Sequence, residues 1–334
     1  MITQRARSQS WEGIRFAPRR LAHGNFFVRD VEASQDFYER VCGLTLVFRE
    51  PGIQAVFLSN GNSHHDVALM GISQQARVGR DGQVQVPQGR GAAPGLNHVG
   101  FEMATEAHLV AAYRRAVQAG LPLHRTADHQ IAHSVYLFDP EGNYLEMYAD
   151  ATRDWRGIYE EVGDQLLTGV WDPEAALPNQ EPLFDPDPDY ARVDAALLHP
   201  IRSSRATFAV RDLHQAVTFY TEVAGLHLLA GGSEDGYAVL GGEVGGPDVG
   251  LIAAGAAIQP GLHHFGLQLG EDELAEAKDR LAANGVPVQV EIDTPAKHSI
   301  VIADPDGMLL EFFVPRPGGA AWSPGAGPGG AYVI

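Results

Sequence analysis

Apolar and polar positions along this chain change period in a recurring order. Residues 21–29 alternate loosely between the two, as a half-buried strand does. Asp30 then reads as the N-cap of a helix over VEASQDFYERVCG, in which Phe37 and Val41, four apart, share one face. Gly43 is placed to end that helix in a left-handed conformation. Three short strand patterns follow, LTLVFRE, QAVFLSN and HDVALMG. The same order returns with LNHVGFEM as a strand and ATEAHLVAAYRRAVQAG as a helix ended at Gly120. LPLHRTA, SVYLFD and NYLEMYA complete the second round. The unit is therefore βαβββ.

The whole arrangement is then duplicated. FFVRDVEASQDFYERVCGL (Phe26–Leu44) matches FAVRDLHQAVTFYTEVAGL (Phe208–Leu226), LNHVGF matches LHHFGL, and DPEGNYLEMY matches DPDGMLLEFF, all in the same order. Four units predict an α+β protein of two domains. A lone unit leaves the concave face of its sheet open, so two units paired side by side should curl into a half-open barrel around a cavity. The expected divisions are an N-terminal metal-binding domain over 18–152, a linker over 153–200, a degenerate copy over 201–316 and a Gly/Pro-rich tail over 317–334. The linker carries Pro173, Pro178, Pro182, Pro186 and Pro188 among scattered acids and is expected to be irregular or wrapped over the surface. The tail is expected to be poorly ordered. Gln74–Pro94, rich in Gly, Arg and Gln, is an insertion between units one and two.

Composition narrows the partners. A chain of 334 residues with 45% hydrophobic content has room for two real cores. The formal net charge of -18 argues against nucleic acid and anionic membrane surfaces, both of which select positive charge. The N-terminal stretch is basic without an apolar core segment, so no secretory signal is expected, and no apolar run is long enough to span a bilayer. A cytoplasmic protein is the expectation. The single cysteine, Cys42, excludes an intrachain disulfide and reads as a buried, inert thiol.

Three residues stand out as candidate chemistry. His23 and His98 lie at matching points in the first strands of units one and two, and Glu146 lies in the last strand of unit two, where Tyr144, Glu146 and Tyr148 share a face. Alone, a strand histidine is usually a satisfied structural residue. Together, two imidazoles and a carboxylate form the set that holds non-haem Fe(II) with positions left open, and the set also suits Mn(II). The duplication supplies a control: His264 and Glu311 match His98 and Glu146, but Arg205 stands where His23 does. The second half should not hold a metal in the same way. A pairing of unit one with unit four would instead join His23, His264 and Glu311.

At these motifs the chain resembles the vicinal oxygen chelate superfamily and, within it, type I extradiol dioxygenases similar to catechol 2,3-dioxygenase. The run DHQIAHSVYLFDPEGNYLEMY carries the closest likeness. The resemblance implies that His23, His98 and Glu146 hold iron, that His65 moves protons during oxygen activation, and that His129 and Tyr136 hydrogen-bond the substrate. It gives His133 no fixed role. It implies ring opening of a catechol-type aromatic beside its two hydroxyls, with both atoms of O2 inserted, as in aromatic hydrocarbon catabolism. In the second half Pro247, Thr294 and Val301 stand where His65, His129 and Tyr136 do, so that half reads as scaffold or subunit contact. Half-open barrels with exposed edges often associate, so a homo-oligomer fits. Two rivals keep the fold. A glyoxalase-like lyase needs a second carboxylate ligand that HHDVALMGI does not supply. A binding protein of the antibiotic-resistance type needs no metal triad.

Overall fold

The structure is a computed structural model that describes residues 11, 13–79, 82–163, 166, 168–316 and 331–334. The basic stretch before Trp11 and most of the Gly/Pro-rich tail, residues 317–330, lie outside the described residues. The first unit runs β1 (Arg20–Val28), α1 (Val31–Arg40), β2 (Thr45–Glu50), β3 (Ala55–Ser59) and β4 (Val67–Gly71). The insertion contributes a two-stranded ribbon, β5 (Arg77–Val78) and β6 (Val84–Val86). The second unit runs β7 (Gly95–Glu102), α2 (Glu106–Gln118), β8 (Leu123–Asp128), β9 (Ala132–Phe138) and β10 (Tyr144–Asp150).

The helix ends follow the local chemistry read from the sequence. Oδ1 of Asp30 accepts the Ala33 amide at 3.0 Å, and Thr105 Oγ1 accepts the His108 amide at 3.2 Å. Gly43 takes φ +72° just past α1, and Cys42 beside it is fully buried.

The eight long strands of this half form one sheet in the order β2-β3-β4-β1-β7-β10-β9-β8. β1 lies antiparallel to β7 at the centre, so unit one is joined to unit two and not to unit four. This sets the first strands of both units side by side at the centre of one sheet. The fourth strand of unit one, β4, begins only at Val67, so His65 sits with His64 in the turn before it rather than in the strand predicted from HDVALMG.

The second half repeats the plan. It contains β11 (Pro200–Val210), α4 (Leu213–Glu222), β12 (His227–Gly232), β13 (Tyr237–Gly241), β14 (Val249–Ala253), β15 (Gly261–Leu269), α5 (Glu273–Ala283), β16 (Val290–Asp293), β17 (Lys297–Ala303) and β18 (Leu309–Pro315). Its sheet order is β12-β13-β14-β11-β15-β18-β17-β16. A single core joins the halves, with Phe26 edge-on to Phe265 at 5.4 Å. The junction is pseudo-symmetric. Asp66 accepts the Ser203 amide at 3.2 Å, and Asp248 accepts the Leu21 amide at 2.9 Å. The Tyr38 hydroxyl donates to Asp304 and the Tyr220 hydroxyl to Asp139, each at 3.2 Å. Every such pair buries a carboxylate with its partner supplied by the other half.

Two segments depart from expectation. The linker opens with a helix, α3 (Trp155–Val162), capped by Asp154, which accepts the Gly157 amide at 2.9 Å. Beyond it the chain lies across the first half. Gly169 bridges to Asp128, and Trp171 stacks on His133 at 4.8 Å with the rings 6° apart. Nδ1 of His133 lies 2.7 Å from Glu106, so His133 pins the linker. In the tail, residues 331–334 are buried against Val239, Ile252 and Val301 inside the second barrel, because their apolar side chains fill a cavity that would otherwise be exposed.

Candidate metal centre

β1, β7 and β10 carry the three predicted ligands to one point in the first half. Nε2 of His23 lies 2.9 Å, and Nε2 of His98 3.0 Å, from the same oxygen of Glu146, Oε2. All three residues are buried. The donor atoms lie within 4.8 Å of one another, a spacing that one ion could bridge. The other carboxylate oxygen, Oε1, accepts the Ser134 hydroxyl at 2.6 Å and the Tyr136 hydroxyl at 2.7 Å. One face of the carboxylate is thus held by hydroxyls, and the other is turned to the imidazoles.

Charge states follow from burial and hydrogen bonding. Burial lowers His23 to about 4 against the pull of Glu146, so its ring is neutral and offers a lone pair. Burial pushes the Glu146 carboxyl up, but hydrogen bonds with His23 and His98 outweigh this and hold it well below the usual range. A neutral His23 ring beside an ionised Glu146 carboxylate is the protonation state that metal binding requires of these two ligands. Nδ1 of His23, the nitrogen turned away from Glu146, is buried without a hydrogen-bond partner.

Local sequence explains the arrangement. The register sets His23 opposite Gly100 on β7, and a methyl group at position 100 would overlap the His23 ring. Gly100 is therefore a site residue that was overlooked, although its place in both LNHVGF and LHHFGL marked it. Ser134 was overlooked too. It lies two residues before Tyr136 on β9, so period-two alternation puts it on the same face.

The other predicted residues line the cavity of this half, which encloses about 720 Å³ counted to its mouth. Nε2 of His129 lies 3.0 Å from the Tyr136 hydroxyl, and its Nδ1 lies 3.1 Å from Oγ1 of Thr168 in the linker. Burial lowers His129 to about 4 and raises the Tyr136 hydroxyl well above its usual range. Gln130, at φ +65°, turns the chain after His129, with its amide held by Asp128 at 2.7 Å. The His65 ring stands 4.1 Å from that of His23, with both nitrogens buried and unpartnered. Burial takes His65 well below its ordinary value. His64 faces the same cavity, 3.3 Å from Asp150. The pair HH at 64–65 thus sends both rings inward, where strand alternation would have sent one out.

Tertiary contacts supply the rest of the wall. A bulge between Leu123 and Arg125 sets Arg125 opposite Tyr136, with its guanidinium 4.6 Å over the Tyr136 ring. Gln85 and Val86 reach in from the insertion, and Tyr159 of α3 stacks on Phe48 at 5.0 Å to close the far side. Among the described residues, His23, His64 and His65 form a second cluster of metal-binding groups. It shares His23 with the first and lacks a carboxylate to balance a dication.

The equivalent place in the second half is filled. The Lys297 ammonium lies 2.5 Å from Oε1 of Glu311, and Ser299 donates to the same oxygen at 2.5 Å. Lys297 also meets the Ile334 carbonyl, while Tyr332 packs on His264 at 4.8 Å. A cation built into the chain thus neutralises Glu311 on the oxygen that Ser299 also holds, while His264 faces the other, Oε2, at 3.4 Å.

Comparison with known proteins bears on the family and the fold. The catechol-2,3-dioxygenase of Bacillus subtilis (strain 168) is 24% identical over 267 residues, spanning 75% of this chain and 74% of that protein. Biphenyl-2,3-diol 1,2-dioxygenase 3 of Rhodococcus globerulus is 28% identical over 131 residues, spanning 39% of this chain and 63% of its relative. The 2,3-dioxygenase LapB from Pseudomonas sp. KL28 superposes with a TM-score of 0.62 over 90% of this chain and 95% of its own, at 17% identity. A Mn(II)-bound glyoxalase from Novosphingobium aromaticivorans superposes at 0.60 over 89% and 82%, at 14% identity. Both solved structures share the fold. The family model matches each half separately, over residues 20–147 and 202–312, and the chain belongs to the glyoxalase/bleomycin resistance protein/dioxygenase superfamily.

Proposed function

We propose that this protein is an extradiol ring-cleaving dioxygenase that opens a catechol-type aromatic with O2, using Fe(II) held by His23, His98 and Glu146. The observation that carries the reading is the divided Glu146 carboxylate. Oε2 faces the imidazoles of His23 and His98, while Oε1 is fixed by Ser134 and Tyr136. Three ligands would leave the metal open toward the cavity, whose wall carries aromatic side chains, among them Phe48, Phe57 and Tyr144, beside the polar groups. Mn(II) fits the same donors.

Bound Fe(II) would bring catechol and dioxygen to one centre and remove the spin barrier between a triplet oxidant and a singlet substrate. The chain's own residues then manage protons and position. His65, neutral and unpartnered, can accept a proton at a ring nitrogen when substrate enters and return it later. Tyr136 spends its one proton on Glu146, so His129, which hydrogen-bonds the Tyr136 oxygen, is the member of the pair that would turn its N–H to a substrate oxygen when substrate enters. The linker adds Leu166 and Thr168 to the cavity wall.

A glyoxalase-type lyase would need a second carboxylate ligand. Glu50 lines the cavity, but it accepts from Gln85 at 3.1 Å and lies outside both clusters of metal-binding groups. The test is metal analysis of anaerobically purified protein, wild type and Glu146→Gln, with an aerobic assay for a yellow ring-opened product from catechols. Wild type should hold stoichiometric iron and form the product. Full metal occupancy in Glu146→Gln would sink the ligand assignment, and iron without product would sink the reaction.

A further inference from the structure

A second cavity lies between the halves, where β1 and β11 begin. Strand register sets Arg20 opposite Glu102 in the first half and Arg202 opposite Gln268 in the second. These pairs are equivalents under the duplication. Glu102 accepts from Arg20 at 3.0 and 3.3 Å and also meets Arg19. In the second half an amide replaces that carboxylate. Oε1 of Gln268 accepts from Nε of Arg202 at 3.0 Å but cancels no charge. Among the described residues, Arg202 has no carboxylate within ion-pair distance.

Two further guanidiniums face the same space, which encloses about 510 Å³ counted to its mouth. Arg205, the residue standing where His23 does, is buried there. Arg20 lines it as well, and its Nη1 is buried without a hydrogen-bond partner. The one carboxylate in the wall, Asp248, has both oxygens engaged by backbone amides, Leu21 at 2.9 Å and Gly242 at 2.7 Å. Burial raises Asp248 to about 6, which weakens it further as a counter-charge. Arg20 is balanced by Glu102 and Arg205 feels Glu311, so the charge left over in this hollow is that of Arg202, an anion-attracting feature in a protein of net charge -18.

We propose that this interdomain cavity binds a small carboxylate, gripped by Arg202 and Arg205. The carboxylate takes the place that Glu102 fills in the first half. A planar guanidinium fork matches that geometry in two parallel hydrogen bonds. The site is independent of the metal centre, and its occupant ties together the first strands of both halves.

Calorimetric titration of the full chain with acetate, succinate and inorganic phosphate at constant ionic strength tests this. Wild type should bind a carboxylate saturably, and Arg202→Gln should weaken binding by about tenfold or more. Gln268→Glu, which restores a built-in partner for Arg202, should abolish binding and raise the melting temperature without ligand. Absence of saturable carboxylate binding in wild type overturns the site. So does unchanged affinity in both variants, or binding of phosphate in preference to both carboxylates.

Discussion

The Tyr136 hydroxyl donates to Oε1 of Glu146 at 2.7 Å, on the side of the carboxylate turned away from His23 and His98. With Ser134 donating to the same oxygen, the carboxylate cannot rotate without losing two hydrogen bonds. Groups that orient a ligand in this way set metal affinity nearly as much as the ligands do.

Ser134→Ala should therefore weaken metal binding by roughly 10-fold while leaving the fold intact. Chelator competition measures it. An unchanged metal affinity would show that Tyr136 alone holds Glu146.

His65→Phe should retain metal and lose turnover by about 10²–10⁴-fold, the usual contribution of a positioned proton-transfer group. The ring shape is kept and both nitrogens are removed. Steady-state rates on a catechol, with metal content measured on the same sample, decide it. Undiminished turnover removes His65 from the mechanism.

Gly100→Ala places a methyl group against the His23 ring. Overpacking of this kind costs about 1–3 kcal/mol, and the imidazole must leave its position opposite Glu146. The expected outcome is a lower melting temperature together with loss of bound metal. Retention of full metal would mean that β7 yields instead of His23.

Acid should destabilise the metal-free protein. Burial lowers His23 and His129 to about 4 in the folded state, against about 6.5 when unfolded. Between these values the unfolded chain binds more protons, so stability falls as pH drops from about 6.5 toward about 4. Melting curves of chelator-treated protein across this window should show the fall, and His129→Phe should make it shallower. A flat profile contradicts the neutral, buried state of both rings.

Much of the architecture was legible because it is written in local periodicity. The four βαβββ units, the Asp30 cap, Gly43 and the face shared by Tyr144, Glu146 and Tyr148 need only neighbouring residues to be read. Ser134 and Gly100 were equally legible, one by alternation and one by its recurrence, but neither residue type is a metal ligand. His65 was read as the start of a strand, but the chain turns there, and a turn lets His64 face the same cavity, which alternation along a strand would not.

The chain alone determined that two matched halves exist, that only the first keeps two histidines and a glutamate, and that Arg205 breaks the set in the second. Tertiary structure alone decided that β1 joins β7, since strand pairing depends on contacts between distant segments that no local pattern encodes. It also decided that the linker brings Tyr159 and Thr168 to the first cavity, and that Tyr332 and Ile334 occupy the second. Those placements are settled by which exposed apolar surface each segment can cover, a property of the folded surface rather than of the segment.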